Sequence, residues 1–284
     1  MNKLFYIFDI KINYVFLLIC VLMSIQVWSQ ADNNIIEDSV LSSNKTTKIN
    51  WDLSLAFKTM NVFRGINPSR APVFSSQAGF KYNNFVIGFY GGSSTNGKYT
   101  ETDLILMYYK PKFDLQVQWY YNFTEGVTHI KNPSGIFDFN TQTSIAMLDV
   151  IINKRIGNNL KFTSSTLLFG RDKIPVPNDI ANEIPLLRGQ QRYSQYLNLE
   201  YYKNIGDNKI EGHIGGSFSW SNFNGPTLYG SKAGFSDLGF SFSRKLIQGS
   251  KFNIPVKAAI LINTVTNQIY VVASIYLIQL TKLK

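Results

Sequence analysis

Two histidines are the residues of this 284-residue chain best suited to acid–base chemistry. His213 stands in the stretch Glu211-Gly-His-Ile-Gly-Gly-Ser217. In a strand, Glu211, His213 and Ser217 would lie on the same face, because all three are at odd positions. A hydrolase could use such a set, because a serine nucleophile needs a base within reach. His129 lies in a long connecting stretch, where a solvated histidine is the simpler interpretation. Neither histidine has a second ligand at metal-site spacing, so we predict no metal, no cofactor and no catalytic residue.

The elements that must position any polar site are strands. From Phe113 to Phe123 the odd positions are apolar or aromatic and the even positions are polar apart from Tyr120. Successive side chains of a strand point to opposite faces, so this stretch predicts one apolar face and one polar face. The same alternation along the chain predicts twelve strands, near 49–63, 73–82, 84–92, 101–110, 112–124, 142–154, 159–169, 192–203, 209–221, 234–245, 251–263 and 268–281.

The connections between these strands differ in length at the two ends. Tight connections follow every second strand, at 83, 111, 157–158, 205–208 and 246–250, and most of the others are longer, at 64–72, 124–141, 170–191 and 222–233. Short turns at one end and long loops at the other are typical of outer-membrane barrels. The longest loop, 170–191, holds three prolines and either narrows the mouth or covers the outer surface.

The composition fits a wall that meets an apolar medium. Charged residues are 16% of the chain, whereas a soluble globular domain carries about 25%. Sixteen tyrosines and 21 phenylalanines suit boundaries between apolar and polar surroundings. The net charge of +10 is spread over turns and loops without a dense basic run, which argues against nucleic acid as a partner.

The first 29 residues resemble an export signal. Lys3 and Lys11 precede an apolar run over 14–23, and small Ser29 offers a cleavage site. An uncleaved membrane helix is the alternative, although the run is short for a span of about 20 residues. Cleavage removes Cys20, the only cysteine, so the mature chain has no disulfide. We therefore predict a signal peptide at 1–29, a polar periplasmic segment at 30–48 and a barrel at 49–284.

The alternation alone fits either a membrane barrel or a secreted sandwich, in which the apolar face forms the core. Long strands, their even number and aromatic residues near strand ends favour the membrane barrel. The aromatic residues that we expect at the membrane interfaces are Trp51, Phe57, Phe63, Phe113, Phe123, Phe218 and Trp220. The predicted fold class is all-β, a transmembrane antiparallel up-and-down barrel.

One region resembles a known family. Phe63-Arg64-Gly65-Ile66, a proline in the following loop, Gln77-Ala-Gly-Phe80, Gly88-Phe-Tyr-Gly-Gly-Ser93 and Glu101-Thr-Asp-Leu104 are similar to motifs of the TorF-type porin family. The similarity covers residues 51–123, and the chain lacks the terminal aromatic residue common in outer-membrane barrels. The resemblance implies an outer-membrane location and a barrel architecture, with no defined solute.

A porin-like passive channel for small polar solutes is the predicted function, with outer-membrane lipids as the surroundings. Two alternatives stay open: a non-conducting barrel with a structural or partner-binding role, and a lipid hydrolase. The polar set that we expect on the pore lining or its rim is Arg64, Asp52, Lys58, Gln77, Glu101, Asp103, Asp114, Gln116, Gln118, Glu200, Glu211 and His213. A barrel of twelve strands lies between filled and open barrels, so this lumen is either a narrow pore or a closed plug.

Arg64 ends the first apolar row. Phe63 continues the outward row that starts at Trp51, so we expect Arg64 to begin the first long loop, and Gly65 to let the chain turn. We favour a cation at the rim, facing water or lipid phosphates, over a residue that lines the mouth of the pore.

Overall fold

The structure, a computed structural model, describes residues 50–122, 134–178, 188–248 and 253–278. The predicted signal peptide, the polar segment 30–48, Phe123, His129 and the C-terminal residues 279–284 lie outside the described residues. Among the described ranges, no helix is both long and apolar enough to cross a membrane.

Twelve strands form one closed antiparallel barrel, as predicted. Each strand pairs with its neighbours in the chain, and the first barrel strand closes the sheet by pairing with the last. The barrel strands are β1 (Asn50–Lys58), β4 (Val73–Tyr82), β5 (Phe85–Ser94), β6 (Thr100–Lys110), β7 (Phe113–Asn122), β8 (Met147–Ile156), β9 (Leu160–Gly170), β10 (Ser194–Ile205), β11 (Asn208–Ser219), β12 (Gly234–Gln248), β13 (Asn253–Asn263) and β14 (Gln268–Ile278). The alternating sequence pattern therefore predicted the number and approximate positions of the barrel strands, with errors at the bounds of two of them.

The outer wall is apolar and the interior is polar. Trp51, Ile87 and Val271 are 60%, 55% and 65% exposed on the outside. Asp103 and Asp149, which point inward, are buried. This arrangement is the reverse of a soluble sandwich and matches a barrel whose outer face meets lipid.

The first predicted strand, 49–63, is wrong in its second half. The barrel strand β1 ends at Lys58, and the chain then forms a short hairpin from β2 (Asn61–Phe63) and β3 (Ile66–Ser69). This two-stranded sheet is separate from the barrel wall. The Arg64 side chain and the Gly65 carbonyl contact inward-facing residues of distant strands, so this hairpin lies inside the lumen, and we call it the inner hairpin.

The sixth predicted strand also starts too early. We expected 142–154, and β8 begins only at Met147. The preceding residues belong to a loop that packs on the outer wall, where the Trp119 indole donates a hydrogen bond of 2.7 Å to the Ile136 carbonyl. The Phe139 ring lies 5.1 Å from that indole, centroid to centroid. Trp119 thus faces outward as predicted, but the loop covers it.

Candidate functional site

The inner hairpin turns at Arg64 and Gly65. Their φ angles are 50° and 82°, and two successive positive values are typical of a type I′ turn. The turn lies against the barrel wall, because a Cβ atom on Gly65 would stand 1.5 Å from the Ser236 carbonyl oxygen. From the neighbouring strand β13, the Asn263 amide donates a hydrogen bond of 3.0 Å to the Gly65 carbonyl. Only glycine fits both the backbone conformation and the close approach.

Arg64 reaches across the lumen to the wall. One terminal nitrogen lies 2.8 Å from Oδ2 of Asp149 on β8, and the other donates a bond of 2.6 Å to the Tyr229 hydroxyl. The side chains of Arg64 and Asp149 are 10% and 0% exposed. Asp149 also accepts hydrogen bonds from Tyr120 at 3.0 Å and from Ser165 at 2.6 Å. The carboxylate is therefore fully paired despite its burial, as a buried charge requires.

Aromatic rings enclose the Arg64 guanidinium. Its central carbon lies 4.6 Å from the Phe63 ring centroid, 5.1 Å from that of Tyr196 and 5.7 Å from that of Tyr229. Cation–π contacts of this kind strengthen where water is excluded. Our prediction that Arg64 is a rim cation is wrong, and so is the outward placement of Phe63, which packs against Tyr120 inside the barrel. The chain turns after Lys58, so the parity of β1 does not extend to these residues.

The loop that carries Tyr229 is held by a second buried carboxylate. Asp172 accepts hydrogen bonds from the Ser194 amide at 2.7 Å and from its hydroxyl at 2.9 Å. The Ser194 oxygen in turn accepts a bond of 2.8 Å from the Leu228 amide. Burial raises the pKa of Asp172, and the bonds from Ser194 oppose that shift. Burial also raises the pKa of the Tyr229 phenol, which keeps it a neutral partner for Arg64.

His213 faces the lumen, where the sequence places it, and its partner is a carboxylate. Its Nε2 lies 3.0 Å from Oδ1 of Asp237 on β12. The other oxygen of Asp237 accepts a bond of 2.7 Å from the Tyr196 hydroxyl. Tyr196 therefore links the His213–Asp237 pair to the aromatic surroundings of Arg64. No serine hydroxyl of the described chain is hydrogen-bonded to His213.

Other predicted residues form polar clusters on the inner face. Glu211 is bound by Lys257 and Lys209, and Glu200 lies 3.0 Å from Lys161. A second cluster joins Asp114 to Gln116 and Asn153, both at 2.7 Å, and Gln116 accepts a bond from Gln118. Opposite charges thus neutralise much of the lumen wall.

The inner hairpin has a cavity on each side. One, of about 260 Å³, is lined on the wall side by predicted residues that include Gln77, Glu101, Asp103 and Gln118. The other, of about 210 Å³, is lined by Glu200, Glu211 and His213. Lys58 and Val62 line both cavities. Of the remaining predicted residues, Asp52 is buried on the inward-facing side of strand β1.

Several inner residues escaped the sequence analysis. Asp149 is the single charged residue of the otherwise apolar stretch 147–152, and an isolated acid in a predicted strand indicates an inward position. Asp237 occupies a similar place on β12. Tyr229 lies in a loop without periodicity, so the sequence carries no signal for its position.

No family model and no curated protein sequence matches the chain. Three solved outer-membrane proteins are similar in structure. OccAB2 from Acinetobacter baumannii shares 13% identity, covering 82% of this chain and 64% of its own, with a TM-score of 0.34. A BenF-like porin from Pseudomonas fluorescens Pf-5 shares 10% identity, and the match covers 81% of this chain and 59% of that porin, with a TM-score of 0.31. An outer-membrane channel from Pseudomonas putida F1 shares 8% identity, and the match covers 86% of this chain and 100% of that channel, with a TM-score of 0.37. The chain thus spans less than two thirds of the first two proteins. The TorF-type resemblance stays a prediction.

Proposed function

We propose that this chain is a porin-like barrel of the outer membrane that lets small polar solutes cross passively. The observation that carries the proposal is the closed barrel with an apolar exterior and a polar interior. An apolar wall without free strand edges suits a lipid bilayer, where every backbone polar group must be paired. A polar lumen suits solutes that cannot dissolve in lipid.

The route that we propose runs beside the inner hairpin. The two cavities flank it and share Lys58 and Val62 in their linings. A further cavity of about 460 Å³ lies at the short-turn end and shares Glu211 and Lys257 with the smaller cavity. Solutes would pass between these spaces where the shared residues separate them. The hairpin therefore sets the width of the path.

A non-conducting barrel is the second candidate, and the Arg64 cluster favours it. Arg64 is held by Asp149, by Tyr229 and by three aromatic rings, which fixes the inner hairpin in the lumen. If the hairpin never moves, the flanking cavities stay separate and the barrel serves a structural or partner-binding role. The lipid hydrolase finds no support in the contacts of His213, which bonds to Asp237 inside the lumen.

Ion currents distinguish the two candidates. Mature protein refolded in detergent and added to planar lipid bilayers should produce discrete openings of low conductance. Its folded state is checked by the shift of the unheated protein on denaturing gels. A folded barrel that produces no openings at any applied voltage would refute the channel proposal and support the non-conducting barrel.

A further inference from the structure

The larger cavity beside the inner hairpin is lined by acidic and basic side chains, some of which are incompletely paired. It has a volume of about 260 Å³ and is lined by the hairpin, by strands β1 and β4 to β8, by Arg171 after β9 and by Leu228. Pockets for drug-sized ligands begin at roughly 300 Å³, so this space suits a smaller solute. Its lining includes two carboxylates, Glu101 and Asp103, and two cations, Lys58 and Arg171.

Asp103 has an oxygen without a partner. The residue is 6% exposed, and its Oδ1 atom is buried with no hydrogen-bond partner. The carboxylate does accept a hydrogen bond from the Tyr121 backbone. Neighbouring Glu101 differs, because it accepts a bond of 2.5 Å from the Tyr99 hydroxyl. A buried acceptor left unpaired is costly, so Asp103 is prepared to accept a donor from a bound molecule.

The cations of the cavity are also incompletely paired. Within the described part of the chain, no carboxylate forms an ion pair with the Lys58 ammonium, which interacts with Glu101 only at longer range. Arg171 donates one long bond, 3.4 Å, to the Asn122 carbonyl, and it interacts electrostatically with Glu101 and Asp103 without an ion-pair contact in the described chain. Two other lysines of the lumen, Lys161 and Lys257, form ion pairs with Glu200 and Glu211. The Lys58 ammonium, which has no ion pair among the described residues, and the unpaired Asp103 oxygen thus occur in the same cavity.

We propose that this cavity binds a small zwitterion that carries an ammonium and a carboxylate, such as a free amino acid. The ammonium of the solute would donate to Asp103, and its carboxylate would accept from Lys58 and Arg171. A simple anion or cation would leave one half of the set unpaired. The site deepens the proposed channel, because a solute reaches it through the lumen.

A ligand-observed NMR titration of the refolded barrel in detergent tests the site. The probes are L-alanine, propionate, which lacks the ammonium, and ethylammonium, which lacks the carboxylate. L-alanine should bind, and each single-charge probe should bind at least tenfold more weakly. Equal binding of propionate and L-alanine would overturn the zwitterion proposal, as would no detectable binding of L-alanine.

Substitutions locate the binding. Asp103→Asn and Lys58→Met should each weaken L-alanine binding at least tenfold. Asp207→Asn and Lys98→Met make the same chemical changes at exposed positions of a turn and a loop, and should leave binding unchanged. Unchanged binding in both cavity variants would place L-alanine elsewhere and refute the site.

The same preparations are examined in planar bilayers, so that the two proposals fail separately. Openings without L-alanine binding would refute the site and keep the channel. L-alanine binding without openings would keep the site and refute the channel.

Discussion

Removing the Arg64 side chain tests how the inner hairpin is held. Arg64→Met deletes the 2.8 Å ion pair with Asp149 and the 2.6 Å bond to Tyr229. Loss of one partner from a buried ion pair costs about 3–5 kcal/mol, because the other charge stays buried and unpaired. Asp149 keeps its hydrogen bonds from Tyr120 and Ser165, which places the expected loss at the lower end, about 3 kcal/mol.

The assay is equilibrium unfolding of the detergent-refolded barrel in guanidinium, followed by tryptophan fluorescence. Arg64→Met, Asp149→Asn and the double variant form a mutant cycle. We expect the double variant to be more stable than the sum of the single losses implies, by about 2 kcal/mol, since it leaves no buried charge unpaired. A loss below about 1 kcal/mol in Arg64→Met, or strictly additive effects, would refute the inward position of the guanidinium.

Two further changes test the surroundings of the hairpin. Gly65→Ala should destabilise the barrel by about 2–4 kcal/mol, because the new methyl group collides with the Ser236 carbonyl at a positive φ angle. Gly97→Ala is the matched control: its φ is 72° with nothing within 4 Å, so about 1 kcal/mol is expected, and equal losses would contradict the close approach. The acid Asp172 has a pKa raised by burial, so its contribution to stability is full below its unfolded pKa near 4 and is lost as pH rises through the higher folded value. Unfolding measured from pH 3 upward should show this decline in the wild type and a flatter profile in Asp172→Asn, whereas parallel profiles would contradict it.

The two-residue alternation of apolar and polar side chains predicted the barrel, because a strand in the wall of a membrane barrel has one face towards lipid and one towards the lumen. The barrel and the inward position of His213 both follow from that alternation. A shift of one residue would exchange the two faces, so the pattern specifies them strongly.

The inner hairpin could not be predicted in the same way. The apolar row of odd positions is interrupted by Thr59 and Asn61, while Met60 and Val62 are apolar at even positions, so the pattern does break after Lys58. A break of this kind marks the end of a wall strand but does not show that the chain then enters the lumen. The partner of Arg64 is Asp149, 85 positions further along the chain. Such a pairing depends on which strands face each other across the lumen, which is a property of the closed barrel. A single sequence does not report it.

Single-channel conductance of a variant without the inner hairpin tests the central claim, that the polar lumen is a path which the hairpin narrows. Lys58 and Val73 are directly opposite each other in the sheet, so a short turn can replace residues 60–71 without changing the barrel register. The account predicts small discrete openings for the wild type and clearly larger ones for the folded variant. Equal conductance of the two proteins, or no openings in either, would contradict it.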